Sequence, residues 1–412
     1  MKKLLSLLLA AIMLLSLSAA FAEEEKITLT MWCIATEADA NRGAYEQAIA
    51  EFQANHPEID LQWEAFENQA YKTKIKNAIE DNELPDIFFT WGGAFLGDSI
   101  ETENVYCLDE AYAAYQDQLP ESMLVNTTYD GKHYGIPLLM NAVVLFANMD
   151  LLKEAGYDTI PQTYEELLAC CDALLEKGII PFGCCSKETW CVSEYLEPMI
   201  VGSVGHETLR DLYAGNASWD DPDIVLAVDC FQDMIARKYF NEDGMELSND
   251  EVKQNFIDGK YAFYQNGSWN CGDFYGRGNF QVAFFPVLNP DRAAYPEIIG
   301  GPNDSLAVSA SSDNVELASS CAFELARSIS HYGYLAGNGL PTWTPDYDTA
   351  DVCPMIADLV ELVSANADNM VLFGDNSLGG DAMVDYLDHV SMVYGSEIDG
   401  AAFASELAES LR

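Results

Sequence analysis

From Ile27 onward, short apolar runs alternate with segments in which apolar residues recur every three or four positions. Ile27-Thr28-Leu29-Thr30-Met31-Trp32 reads as a strand, and Tyr45, Ala48, Ile49 and Phe52 then share one helical face. His56-Pro57 closes that helix before a second strand near Ile59 to Phe66. Such alternation predicts an α/β fold. A chain of about 390 residues after any leader is too long for one core. No repeat or Pro/Gly-rich linker divides it, so two domains would have to be built by a chain that crosses between them more than once.

The pattern continues along the chain. Tyr71, Ile75, Ala78 and Ile79 mark a second helix, and Leu84-Pro85-Asp86 leads into the strand and turn Ile87 to Gly93. Thr163-Tyr164-Glu165-Glu166 is a capping box ahead of Leu167, Leu168, Cys171, Leu174 and Leu175, with Gly178 as the stop. Ser248 to Glu251 repeats that arrangement. A strand from Tyr261 to Tyr264 is expected to turn at Asn266-Gly267, which would place Ser268-Trp269-Asn270 on a loop. A further helix is expected from Asn314 to Ser330, with helices around Ile356, Val384 and Phe403.

The N-terminus has a basic start, an apolar stretch from Leu4 to about Leu17, and Ala20-Phe21-Ala22 before three glutamates, which is the layout of an export leader cut after Ala22. No Cys follows that cut, so a lipid anchor is not expected and the protein should be exported and free. Loss of Lys2 and Lys3 with the leader takes the formal charge from −47 to −49. A field of that sign opposes nucleic-acid phosphates and anionic membranes. The eleven cysteines include Cys170-Cys171 and Cys184-Cys185 but no C-x-x-C pair, so most of them are read as buried free thiols, with no metal and no cofactor expected.

Several segments carry a resemblance in a fixed order: Phe52 to Pro57 (FQANHP), Leu84 to Ile87 (LPDI), Tyr129 to Pro137 (YDGKHYGIP) and Phe146 to Gly156 (FANMDLLKEAG). Pro161 to Leu167, Gly178 to Phe182, Phe256 to Trp269, Phe285-Pro286, Gly300-Gly301 and Gly339-Leu340-Pro341 follow. Together they resemble the extracellular solute-binding proteins of carbohydrate ABC importers, the family that includes maltose-binding protein. Ala147 departs from the aromatic residue that the family commonly has before the Asn at position 148. The resemblance implies a two-lobed periplasmic-binding-protein-like fold of type II, with crossovers near Pro137, Phe285-Pro286 and His331. The first lobe would comprise residues 23–137 and 286–331, the second 138–285 and 332–412. It implies a monomeric, non-enzymatic receptor that holds a carbohydrate in the interlobe cleft and hands it to an ABC permease.

Sugars present C–H patches on their faces and hydroxyls at their edges, which call for flat aromatic rings and planar polar groups. Trp32, Trp91, Trp190, Trp269 and Trp343 sit at expected strand ends or loops, with Trp269 the main candidate platform. Gly92-Gly93 would let a ligand approach the backbone beside Trp91. Glu37, Asn141 and Asn303 are the candidate hydroxyl partners, whereas Asp86, just before a strand, reads as structural. Two rival readings are a polyamine on the same scaffold and a secreted glycoside hydrolase, which would need paired carboxylates across a sugar bond.

Overall fold

The computed structural model of the protein describes residues 26–411, so the expected leader and its cut after Ala22 lie outside the described residues. Strand β1 (Ile27–Cys33) lies between β2 (Ile59–Ala65) and β3 (Ile87–Trp91) and is parallel to both. Helix α1 (Arg42–Asn55) buries Tyr45, Ala48, Ile49 and Phe52, the face that the spacing predicts. Helix α2 (Asn68–Asp81) starts on Glu67, whose carboxylate accepts the amides of Gln69 and Ala70 at 3.1 Å. Asp86 accepts from the amide and hydroxyl of Thr30 at 2.8 Å each, and so pins β3 to β1. That is the structural role its position suggested.

Strand β4 (Ile136–Asn148) is 13 residues long and buried almost throughout. After it come β5 (Ile180–Gly183), β6 (Tyr261–Gly267), β7 (Phe280–Ala283) and β8 (Ile298–Val308). The two-residue strands β9 (Leu340–Pro341) and β10 (Met370–Val371) complete a sheet of order β2-β1-β3-β8-β4-β6-β5, in which β9 and β7 also pair with β4 and β10 pairs with β8. The first half of β4, Ile136 to Ala142, is antiparallel to β8; the second half, Val143 to Ala147, is antiparallel to β6. One strand therefore serves two lobes.

The cores show where the chain changes lobe. Leu29, Phe52, Phe89, Leu138 and Leu306 belong to the first lobe's core. In the second lobe Val143 and Leu145 face one cluster, with Phe182 and Phe403, while Val144 and Phe146 face another, with Tyr264 and Ile356. The alternation follows from the two-residue period of a strand and makes the second lobe a sheet covered on both faces. The return crossing falls at Gly300 to Asp304 rather than near Phe285-Pro286, because Phe284, Phe285, Ile298 and Ile299 all pack in the second lobe. Pro286 is thus not a lobe boundary.

Both capping boxes form, on Thr163 for α3 (Tyr164–Glu176) and on Ser248 for the helix Asn249–Ile257. Asn266-Gly267 is not a turn. Both residues lie in β6 opposite Val144 and Val143, where ladder pairing along β4 outweighs local turn chemistry, and the chain bends only at the 3₁₀ turn Ser268–Asn270. The helix expected to end at Ser330 runs from Val315 to Ala336 and is closed by Gly337 at φ 87°. All eleven cysteines are free thiols, and nine of them are buried. No described helix is long and apolar enough to cross a membrane.

Gly300 has φ 153° and packs so closely on β4 that an added Cβ would overlap the Asn141 carbonyl. Gly300→Ala should therefore destabilise the protein by about 2–3 kcal/mol in denaturant unfolding. Gly43, around which nothing lies within 4 Å of an added Cβ, is the control that should tolerate alanine.

Candidate functional site

A cavity of about 490 Å³ opens between the lobes where strand ends and helix N-termini converge. From the first lobe the loop after β1 supplies Asp39 and Asn41, the start of α2 supplies Asn68 and Lys72, and the end of β3 supplies Trp91. The crossing strands add Asn141 from β4 and Asn303 and Asp304 from β8. Opposite them stand Trp269, Phe373, Asp375, Asn376 and one face of a helix, α4 (Thr189–Val204).

Helix α4 turns Trp190, Ser193, Glu194 and Glu197 into the cavity, a spacing of three or four residues that places them on one side. Pro198 lies inside this helix and cannot donate to the carbonyl of Glu194. That carbonyl instead accepts the side-chain amide of Gln265 at 2.8 Å, which ties the helix to β6.

Five of the eight residues singled out in the sequence meet in the cavity: Trp91, Asn141, Trp190, Trp269 and Asn303. The indole of Trp269 lies over Gly267, where any Cβ would overlap the ring. The Trp190 ring is 6.4 Å away at 55°, and its Nε1 donates to Glu188 at 3.0 Å. Trp91 meets Phe89 and Phe95 edge to face at 4.9 and 5.0 Å, while the Lys72 ammonium lies 5.0 Å from its ring centre. Asn141 donates to Asp304 at 3.2 Å and accepts from the Ser268 hydroxyl at 3.0 Å. Asn303 donates to Asn376 at 2.9 Å, and its own amide oxygen is buried without a partner.

Three residues need correction, since none of them lines this cavity. In β1, Leu29, Met31 and Cys33 point into the core, so strand parity sends Trp32 to the other face, edge-on to Phe66 at 5.9 Å with the Lys74 ammonium 3.8 Å from its ring centre. Glu37 is exposed on the loop beyond. Trp343 is buried in the first core, where its Nε1 donates to the Pro137 carbonyl at 2.9 Å and its ring meets Tyr115 edge to face. Nor do Gly92 and Gly93 leave room for a ligand. The backbones of Asn126 and Asn376 fill that space.

Sequence reasoning missed the carboxylates of the cavity. Glu194 and Glu197 are the only charged residues of a largely apolar helix, and that interruption was the available signal. Both are buried, and neither oxygen of Glu194 has a hydrogen-bond partner. Burial, then the charges of Glu197 and Asp375, push the Glu194 carboxyl well above the usual range. Glu197 is pushed up to about 8 by burial and Asp375, although it accepts from the Gly374 amide and the Tyr386 hydroxyl. Burial lifts Asp39 to about 6. Burial and the nearby Asp39 lift Asp304 to about 7. Among the described residues no group of three or more His, Cys, Asp or Glu side chains is arranged to hold a metal ion.

Residues 37–327 match the sequence model of a family described as bacterial extracellular solute-binding protein. The chain belongs to that family. The solute-binding protein is similar to a protein solved in work on xylan utilization by the thermophilic bacterium Caldanaerobius polysaccharolyticus. The identity is 31%, the match covers 94% of this chain and 100% of that one, and the TM-score is 0.89. A chitin oligosaccharide binding protein shares the fold at 20% identity, with 94% and 98% coverage and a TM-score of 0.84. An uncharacterized ABC transporter extracellular-binding protein of Pyrococcus horikoshii is 23% identical over 385 residues, 90% of this chain and 85% of that protein. Two of these relatives are binding proteins by name, in keeping with the family and with the α/β fold that the chain shares with the solved structures.

The raised carboxyl of Asp304 predicts a pH dependence whose sign follows from proton counting. An unfolded Asp titrates near 3.9, so the folded empty protein holds a proton that the unfolded chain gives up between about pH 4 and 7. This contribution to stability is full below pH 4 and is lost as pH rises through about 7. Asp304→Asn should therefore raise the melting temperature of the ligand-free protein at pH 8 by a few degrees and have little effect at pH 4. A larger gain at pH 4 than at pH 8 would reverse the sign and reject this account.

Proposed function

We propose that this solute-binding protein captures a carbohydrate in the interlobe cavity, outside the cytoplasm, and delivers it to the membrane permease of an ABC transporter. The observation that carries the reading is the composition of the cavity wall: indoles from both lobes beside a set of buried, unpartnered hydrogen-bond acceptors. Trp91 lines the cavity from the first lobe and Trp190 and Trp269 from the second, so a sugar held there meets aromatic surface from both lobes. Sugar hydroxyls are the donors that the oxygens of Asn41, Asn68 and Asn303 lack. The names of its relatives agree, since they include proteins linked to xylan utilization and to chitin oligosaccharides.

A cavity lined from two lobes completes its contacts only when they close on the ligand. Residues Asn141 to Ala142 of β4 and Gly300 to Asp304 of β8 are the natural hinge, because there each strand passes from one core to the other. The reading takes the carrier to be a monomer, since residues of one chain line the cavity from both lobes.

A thermal-shift and calorimetry screen of neutral oligosaccharides tests the reading. Saturable stabilisation without product supports a receptor, whereas product formation would indicate a glycoside hydrolase, and no stabilisation by any saccharide would refute carbohydrate capture. Small-angle scattering should show a smaller radius of gyration at saturation. Trp269→Ala should weaken binding by about five- to a hundredfold, on the scale of roughly 1–3 kcal/mol for stacking on an aromatic ring. Trp32→Ala, outside the cavity, should leave affinity within about threefold of the parent.

A further inference from the structure

The cavity wall carries eight carboxylates, Asp39, Glu67, Glu188, Glu194, Glu197, Asp250, Asp304 and Asp375, against two lysines, Lys72 and Lys187. Lys72 is already engaged by Asp375 at 3.4 Å and by the Trp91 ring. The buried polar atoms of this wall that lack partners are all oxygens, on Asn41, Asn68, Glu194 and Asn303. Glu194 stands apart within that group. Only 3% of it is exposed, both of its carboxylate oxygens are unpartnered, and it lies on the face of α4 that is turned into the cavity, one helical turn from Glu197.

We propose that the cleft selects saccharides by charge, with Glu194 as the group that holds a basic nitrogen on the ligand, so that amino sugars are favoured and uronic acids are excluded. This rests on the carbohydrate reading and adds to it the class of sugar. The physical ground is the cost of an uncompensated buried carboxylate, which must take up a proton or find a cation. In the empty cleft burial and Glu197 favour the proton. An ammonium group on a sugar ring brings both a positive charge and donors, and in a site closed to water a charge-assisted bond is stronger than one from a neutral hydroxyl. A uronate would instead bring a ninth carboxylate into a wall in which one of the two lysines, Lys72, is already paired.

The test uses three β-1,4-linked tetrasaccharides of one backbone geometry: cellotetraose, its glucosamine counterpart and its glucuronate counterpart, titrated calorimetrically at pH 7 into the parent protein and into Glu194→Gln. The expected result is binding of the amine at least tenfold tighter than cellotetraose, binding of the uronate at least a hundredfold weaker than the amine, and a fall of the amine-to-neutral ratio below threefold in the variant. Because Gln is uncharged and nearly the same shape as the protonated carboxyl that burial favours in the empty cleft, the variant should melt no lower than the parent, which separates loss of charge selection from misfolding. An amine no tighter than cellotetraose, a uronate as tight as cellotetraose, or an amine advantage that survives in Glu194→Gln would each overturn charge selection while leaving carbohydrate capture standing. Failure of every saccharide in both this series and the neutral screen would remove the two proposals together.

Discussion

The architecture depends on one strand with two sets of partners. Ile136 to Ala142 of β4 pairs with β8 and contributes Ile136 and Leu138 to the first core, whereas Val143 to Ala147 pairs with β6 and enters the second. A strand buried on both faces and continuous across the junction couples the two lobes through backbone hydrogen bonds. Asn141, the one polar side chain before Asn148, sits at the changeover and spends its amide on Asp304 and Ser268. The polar centre of the cavity is thus built on the element that joins the lobes.

Around that junction the protein accepts a local penalty. Glu194 keeps two buried oxygens without donors, and Asn41, Asn68 and Asn303 each keep one. Each such group costs about 1–3 kcal/mol relative to a satisfied one. The large apolar clusters on either side offset this, and the penalty gives the cavity its chemical direction, since a ligand that supplies donors removes it. Pro198 and Gln265 show that the arrangement is held in place rather than left loose: the carbonyl released by the proline is taken by a side chain of the neighbouring strand.

Local rules were legible wherever the residues that settle them are close in sequence. Thr163 with Glu166 and Ser248 with Glu251 cap helices as read, and the apolar face of α1 is the one its spacing marks. The same rules failed where a distant segment decides. Asn266-Gly267 has the chemistry of a turn but pairs with β4. Gly92 and Gly93, read as room for a ligand, are needed for the close approach of Asn126 and Asn376, the latter nearly three hundred residues away in the chain. Trp32 and Trp343 look no different from Trp91 in sequence, yet they lie outside the cavity because strand parity turns one away and the first core enfolds the other.

The sequence by itself determined the α/β alternation, most helix starts and a resemblance strong enough to name the family, since periodicity, capping and ordered short motifs are carried by neighbouring residues. Tertiary structure alone decided which side chains share the cleft. Asp39, Glu194, Asp304 and Asp375 come from four separate elements, and only the folded chain brings them into one low-dielectric space where their burial and mutual repulsion acquire meaning. A carboxylate in a chain with 67 acidic residues says nothing about function until its neighbours and its access to water are known.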